Sequence, residues 1–453
     1  MATAASETLK EPPQVSGIPV IGNALSMAKD PGRFFYECYR KYGPVYRLKV
    51  MNNVYTVLAG AEAANFMGTR EGRDSLRSKE FWQGLIDEWG AKRTLTAEDG
   101  ETHQKLRAVL RHGYSKESVK GRYNELVEIT DSVIARDWRV GTTVPVVQNM
   151  QYIVTEQLGA MLTGTSPREY VADIRTTILY ILNVLVTRQR PKFMLKDPRY
   201  KHAKERVSEL GRRMIAEYNA GKETRDPSRR NLVDDVMEAH ARDPDLIPAS
   251  DLILSLTGPF VAGLDTVANT TGAFIYAVLK HPEVHERVRR EADALFAQGS
   301  IDEADLRRVP AIDGAIMEAM RMYPIAVAQM RTATRDFAFL GHRIREGELL
   351  YVATAVPHYM EEYYPHPEKF DIDRYAKPRA EHLKPGVYSP YGRGTHTCLG
   401  KTLAEVQMSV SMARLFYLLD LELEYPEYEL QTKVLPTPGP SMKFKVRVKA
   451  RRH

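Results

Sequence analysis

The residues best placed to do chemistry lie in Tyr391-Gly-Arg-Gly-Thr-His-Thr-Cys-Leu-Gly400. Gly392, Gly394 and Gly400 surround Cys398, and Pro390 precedes them. Glycine accepts positive φ and lets backbone come close to a flat partner. Leu399, Leu403, Val406 and Val410 then recur at helical spacing, which predicts an amphipathic helix with Cys398 at its N-terminus. There the helix dipole and free amides favour a thiolate, the form a metal ion demands.

Cys38, the other cysteine, is 360 residues away. Zinc sites usually take four ligands, often from paired cysteines, so a cysteine-rich zinc or iron–sulfur centre does not fit. A single thiolate ligand points to haem. The alternative is a buried structural cysteine in a glycine-rich turn; the glycine spacing and the helix that follows argue against it.

Three further groups stand out. Ala262-Gly263-Leu264-Asp265-Thr266 lies midway along a long apolar segment, where small residues leave room beside the helix and an acid leans towards function. Asp265 and Thr266 can hold a water chain that delivers protons; the alternative is a packing glycine and a satisfied threonine. His103 and Arg107, at i and i+4, share one helix face. Glu318 and Arg321 repeat a spacing also found at Glu37/Arg40, Glu209/Arg212 and Glu286/Arg289, which read as exposed helical pairs.

The cysteine segment resembles the haem-binding signature of the cytochromes P450: an aromatic residue, glycine four before the cysteine, a base two before it and glycine two after. Tyr391 stands where that family usually has Phe, which adds a hydroxyl needing a partner. Glu318-Ala-Met-Arg321, ahead of Tyr323-Pro324, is similar to the family's Glu-x-x-Arg. Pro367-Glu-Lys-Phe-Asp-Ile-Asp-Arg374-Tyr375 is similar to its third signature, and residues 262–266 resemble its oxygen-binding segment. These marks follow the family's order from residue 17 to the C-terminus.

The resemblance implies a mainly α chain with a smaller β region, in the triangular fold of the family. The haem lies between the long central helix and the helix after the cysteine loop. One catalytic domain is expected over residues 1–453, β-rich at about 44–60, 330–356 and 420–450. Cys398 is the implied axial ligand, with Tyr391, Gly392, Ala262 and Gly263 beside the cofactor. His103, Arg107, Arg331 and His396 match positions that hold the propionates. Glu318, Arg321 and Arg374 are expected to form a charge-assisted cluster that braces the cysteine loop. Asp265 and Thr266 are the implied proton-delivery pair.

Substrate contacts are expected from Phe81, Trp82 and Leu85, from Ile178 to Val186, from Phe260 and Ala262, from Ile325 and Ala326 on to Met330, and from Leu435 to Met442. They are largely apolar, so a mainly hydrophobic small molecule is expected. The implied cofactor is haem b (iron protoporphyrin IX) with O2 as cosubstrate; one oxygen atom enters the substrate and the other leaves as water. Nothing resembles a flavin, nicotinamide or ferredoxin domain, so NAD(P)H acts only through a ferredoxin or flavodoxin-type redox partner. Lys105, Arg111, Arg393 and Lys401 form a candidate basic face for it, or are ordinary surface bases. Two rivals stand: a haem-thiolate enzyme that uses peroxide or needs no external electrons, and a non-enzymatic haem sensor or electron carrier.

The elements that must carry these residues are mostly helical. Periodic segments cover roughly 101–112, 117–137, 150–163, 168–187, 198–220, 250–280, 283–297 and 310–322, with a short helix near Pro31 to Lys41. Helix 250–280 would be about 45 Å long, with Pro259 predicting a kink. Val45 to Val50 and Val54 to Leu58 read as strands joined by a turn at Asn52-Asn53. Strand character returns at Ala338 to Ala355. Lys443 to Arg451 alternates base and apolar residue, as in an edge strand with one solvated face.

Bulk composition excludes several classes. With 27% charged and 43% hydrophobic residues the chain is ordinary globular material. The net charge of +6 is spread and too mild to argue for nucleic acid. Two cysteines make no disulfide framework, and the N-terminus has no signal-peptide pattern. No uninterrupted apolar run reaches the length of a membrane span. A cytoplasmic monomer without a transmembrane anchor is expected.

Overall fold

The computed structural model describes residues 9–221, 226 and 229–453. Helices make up most of it, and the longest, Leu252–Lys280, runs through the helical core. Its packing partners include Val146–Leu158, Pro198–Gly221, Pro310–Met322 and Lys401–Leu418. The helix continues through Pro259. It is long and apolar enough to cross a membrane, but most of it is buried inside the protein.

Helix positions follow the hydrophobic periodicity, with three local departures. The segment expected at 117–137 is broken into Lys116–Val119 and Tyr123–Asp137. The segment expected at 150–163 is an α-helix at Val146–Leu158 that widens into a π-turn at Gly159–Thr163. The one expected at 168–187 is α-helical at Val171–Tyr180 and π-helical at Ile181–Val186. A π-turn adds a residue per turn, which a 3.6-residue pattern cannot register.

The main sheet has the strand order Val45–Val50, Asn53–Ala59, Leu349–Ala353, Gln329–Ala333, Leu76–Arg77. Asn53–Ala59 and Leu349–Ala353 run parallel, and the other pairs are antiparallel. Val50 pairs with Asn53, so the hairpin turn is Met51-Asn52, not Asn52-Asn53 as the sequence implied. Met51 takes φ 54°, the left-handed value a tight hairpin requires, so that the strand's apolar side chains keep their inward register.

The C-terminal strand Lys445–Arg451 lies in the middle of a three-stranded sheet, between Thr143–Pro145 and Leu419–Leu423, and is no edge. Its bases meet acids of the neighbouring strand: Arg447 and Lys449 both reach Glu422 at 3.8 Å. Cross-strand ion pairing, not edge protection, accounts for that basic face.

Candidate active site

Cys398 sits in a loop clasped on three sides. Gly394, at φ 76°, takes the start of a 3₁₀ turn; a Cβ there would collide with the Met67 carbonyl oxygen. Arg393 donates to Asn65 Oδ1 at 3.0 Å. Gly392, at φ 73°, lies so close to Gln329 that a Cβ would stand 3.0 Å from its Nε2. The Cys398 amide closes the loop by donating to the Tyr391 carbonyl at 2.8 Å. The helix that follows, Lys401–Leu418, is capped by Gly400, so Cys398 lies just before its first turn. From Gln407 to Ala413 every residue of this helix is buried. The helix is therefore amphipathic in its first turns, where Leu403 is buried and Lys401 and Glu405 are exposed, and enclosed from Gln407 onward.

Burial pushes the Cys398 thiol above its usual range; the Gly400 amide, Arg107 and Lys401 pull the other way. The helix-start effect expected from sequence is present but is outweighed by desolvation. Cys398 nonetheless keeps exposed surface within an otherwise desolvating shell. Tyr391 is half-buried, with its hydroxyl oxygen enclosed. Its hydroxyl has no hydrogen-bond partner of good geometry, while the Lys401 ammonium lies 5.5 Å from its ring centre.

The four predicted bases converge. The His103 and His396 rings are 4.5 Å apart. Burial, His396 and Arg107 lower the His103 pKa to about 4, and Arg331 acts in the same direction. Its Nε2 is buried without a partner. Arg331, only 7% exposed, donates to the Met330 carbonyl and to Gln329 Oε1 but pairs with no carboxylate among the described residues. Burial lowers its pKa to about 10, with Asp99 opposing.

Sequence reasoning missed Asp99 and Ser78. Asp99 Oδ1 lies 2.8 Å from His396 Nε2, and Ser78 N donates to Asp99 Oδ2 at 3.3 Å. Against the effect of burial, His396 and Ser78 hold the Asp99 carboxyl below its usual range. Nothing in the sequence separates this acid from other loop acids.

On the central helix, open surface follows one line. A Cβ on Gly258 would meet nothing within 4 Å, Ala262 is exposed, and Thr266 is half-buried. These positions repeat every four residues and share one face. Gly258 carries no sequence signal beyond its neighbour Pro259. Gly263 is different: a Cβ there would stand 2.7 Å from Leu158 Cδ1, so this glycine serves helix packing and does not open space beside Ala262. Phe260 is fully buried in the helical core and offers no surface to a ligand. Thr266 Oγ1 donates to the Ala262 carbonyl at 2.9 Å. No hydrogen bond joins Asp265 to Thr266; Asp265 Oδ1 instead accepts from Gln151 Nε2 at 2.6 Å.

Phe81 and Leu85 are buried and Trp82 is half-buried, on a helix Lys79–Trp89 that packs on the Ile181–Val186 turn and on strand Gln329–Ala333. Ile325 is half-buried and Ala326 exposed in the segment that enters this strand.

Glu318, Arg321 and Arg374 form one buried cluster. Arg321 donates to both Glu318 oxygens at 2.8 Å, and Arg374 Nε reaches Glu318 Oε1 at 3.1 Å. Tyr375 donates to Glu318 Oε2 at 2.6 Å and Glu381 accepts from Arg374 at 3.1 Å, two partners the spacing did not reveal. The spare guanidinium N–H groups go to the carbonyls of His358, Pro365, His366 and Pro367. Tyr388, three residues before Tyr391, donates its hydroxyl to the Met317 carbonyl at 3.0 Å, and its ring lies 5.8 Å from that of Tyr375.

The family model for cytochrome P450 matches residues 12–445. The chain belongs to the cytochrome P450 family. It is 26% identical over 395 residues to cytochrome P450 139 of Mycobacterium tuberculosis, covering 85% of this chain and 89% of that protein. Over 419 residues it is 23% identical to abscisic acid 8'-hydroxylase 1 of Arabidopsis thaliana, covering 90% and 85%. The retinoic acid-bound structure of a cyanobacterial P450, CYP120A1, superposes with a TM-score of 0.82 at 22% identity, covering 97% and 99% of the two chains. Family membership makes this chain an oxidoreductase of the haem monooxygenase type. The residues described above fit the family's cofactor: a cysteine with exposed surface in a tight glycine-rich loop, and nearby a buried guanidinium, Arg331, with no carboxylate partner among the described residues.

Proposed function

We propose that Cys398 is the axial ligand of haem b, that His103, Arg107, Arg331 and His396 receive its propionates, and that the enzyme oxidises a mainly hydrophobic small molecule with electrons from a separate protein. The observation that carries this reading is Arg331, a buried guanidinium with no carboxylate partner among the described residues, on the strand against which Gly392 of the cysteine loop rests. An uncompensated buried cation is costly, and a pair of carboxylates brought in by a ligand relieves it. The bare His103 Nε2 beside it is a second group in need of a partner.

When bound, the haem supplies dioxygen activation, with the thiolate pushing electron density towards O–O cleavage. The chain's own residues do the rest. Ala262, exposed on the helix face it shares with Thr266, would leave room for dioxygen. Thr266, whose proton is committed to the Ala262 carbonyl, keeps its lone pairs free to accept from water. Asp265, carried on the same helix, is the acid of the proton route. Helix Lys79–Trp89, the Ile181–Val186 turn and the segment from Ile325 to Met330 provide the apolar walls that hold the substrate and exclude water.

A ferredoxin or flavodoxin-type protein delivers the electrons at the face bearing Lys105, Arg111, Arg393 and Lys401. The charge of this face is lower than its composition implies, because Lys105 pairs with Glu101 at 2.7 Å and Lys401 approaches Glu405 at 3.9 Å. Docking is therefore expected to be only mildly salt-dependent.

The test is the absorption spectrum of the reduced, carbon monoxide-treated protein, expressed with porphyrin, for the wild type, Cys398→Ala and Cys398→His. Thiolate character is expected in the wild type only. A Cys398→Ala protein with an unchanged spectrum and full turnover overturns the assignment. A peroxide-driven enzyme is the second reading, favoured by the engagement of Asp265 with Gln151 in place of Thr266. Turnover with peroxide alone that equals turnover with a redox chain would establish it.

A further inference from the structure

Asp265 is held from two sides. Its carboxylate is 2% exposed. Oδ1 accepts from Gln151 on helix Val146–Leu158, as above, while Oδ2 faces Lys433 Nζ at 3.9 Å and accepts from Thr437 Oγ1 at 3.5 Å. Lys433 and Thr437 belong to a small C-terminal hairpin in which Thr432–Lys433 pairs antiparallel with Gly439–Pro440. One turn along the central helix, Asn269 Nδ2 donates to Thr437 Oγ1 at 3.0 Å and to the Pro438 carbonyl at 3.2 Å. A Cβ on Gly439 would stand 2.5 Å from Asn269 Cγ, so hairpin backbone lies directly against the helix. The hairpin is thus fastened at two points one helical turn apart.

Of the two, the ion pair is the weaker. Lys433 is largely buried and has Asp265 as its sole anionic partner among the described residues. Burial disfavours its ammonium and Asp265 supports it; Arg175, from helix Val171–Tyr180, adds repulsion. Arg175 has no ion pair of its own among the described residues. At 3.9 Å the contact is close enough for Coulomb attraction but too long for a hydrogen bond.

We propose that Lys433 is a positioning residue that latches the Thr432–Pro440 hairpin to Asp265 and keeps that carboxylate on Gln151 and Thr437, away from Thr266. Opening the latch releases the acid towards Thr266, so hairpin position and proton delivery are coupled. A substrate that presses on the loop between Lys433 and Gly439 acts on the acid through this contact. The inference rests on the reading of Asp265 as the acid of the proton route.

The experiment is amide hydrogen exchange of residues 430–442 in the purified holoenzyme, for the wild type, Lys433→Met, Lys433→Arg, Asp265→Asn and the Lys433→Met/Asp265→Asn double variant. Lys433→Met and Asp265→Asn are each expected to speed hairpin exchange about tenfold, the loss of one buried ion-pair attraction. The double variant is expected to be no faster than either single one, and Lys433→Arg to retain protection. Raising the pH is expected to open the wild-type hairpin and leave Lys433→Met unmoved. Unchanged exchange in Lys433→Met, or purely additive effects in the double variant, overturns the latch. Product formed per electron pair, followed against pH, reads the coupling separately. Asp265→Asn with undiminished yield overturns the proton-route reading while the exchange data still decide the latch. An altered pH profile of that yield in Lys433→Met supports both.

Discussion

Glu318 and Arg321, both fully buried, form a two-pronged pair in which Nε and Nη2 of the guanidinium each donate at 2.8 Å to a different carboxylate oxygen. Arg374 also pairs with Glu381, which is shared with Arg379, itself paired with Asp371, so the network balances three positive against three negative charges. Replacing Glu318 by Gln removes one negative charge and leaves three guanidinium groups facing two acids. We expect a loss of about 3–5 kcal/mol in folding free energy, measured by urea unfolding. A Glu318→Gln protein within 1 kcal/mol or so of the wild type would mean the cluster contributes little.

Arg331 predicts effects of opposite sign in two states. Arg331→Met removes a buried cation with no counter-ion, so the haem-free protein is expected to be at least as stable as the wild type. The loaded protein loses a charge-assisted donor, and haem dissociation is expected to speed up on the order of tenfold. Thermal unfolding of the haem-free form and the rate of haem transfer to an acceptor protein measure the two separately.

His358 sets an acid-side limit on stability. It is buried next to Arg321, and burial and that charge lower its pKa to about 3. Unfolded histidine takes up a proton near pH 6.5. Between pH 6.5 and 3 the unfolded chain therefore binds a proton that the native state refuses, and stability falls with pH by up to about 1.4 kcal/mol per unit. His358→Asn removes that slope. From pH 6.5 to 5 the wild type is expected to lose about 2 kcal/mol more than the variant, as read from unfolding curves at each pH.

Gly394 is expected to tolerate no side chain. Its φ of 76° costs an L-residue about 1–2 kcal/mol, and the added methyl meets the Met67 carbonyl oxygen, part of the backbone. Gly394→Ala is expected to shift the cysteine loop and lower haem retention. Gly299→Ala, which has a similar φ but meets nothing within 4 Å, serves as a control that carries only the conformational cost.

The sequence carried much of this site because its signals are local. Cys398 and its glycines sit within one loop, the Glu318–Arg321 spacing is one helical turn, and His103 and Arg107 share a helix face; none of these relations depends on distant chain. The long central helix, its partners and the Val45–Val50, Asn53–Ala59, Leu349–Ala353 and Lys445–Arg451 strands follow from local pattern for the same reason. Departures occur where a residue's environment comes from elsewhere. Gly263 is small because Leu158 fills its place, Phe260 is buried by packing around the whole helix, and Lys445–Arg451 lies between two strands distant in sequence.

By itself, then, the sequence determined the helical framework, the thiol with its glycine-rich surroundings, and the set of charged residues available to a cofactor. Tertiary structure alone decided which of these meet. It brought Asp99 to His396, Tyr375 to Glu318, and Lys433, Thr437 and Gln151 to Asp265, across separations of 297, 57, 172 and 114 residues for the His396, Tyr375, Thr437 and Gln151 contacts. Local spacing fixes which face of an element a side chain occupies; what waits opposite that face depends on how distant elements pack, because burial and charge pairing act between surfaces that chain order does not encode.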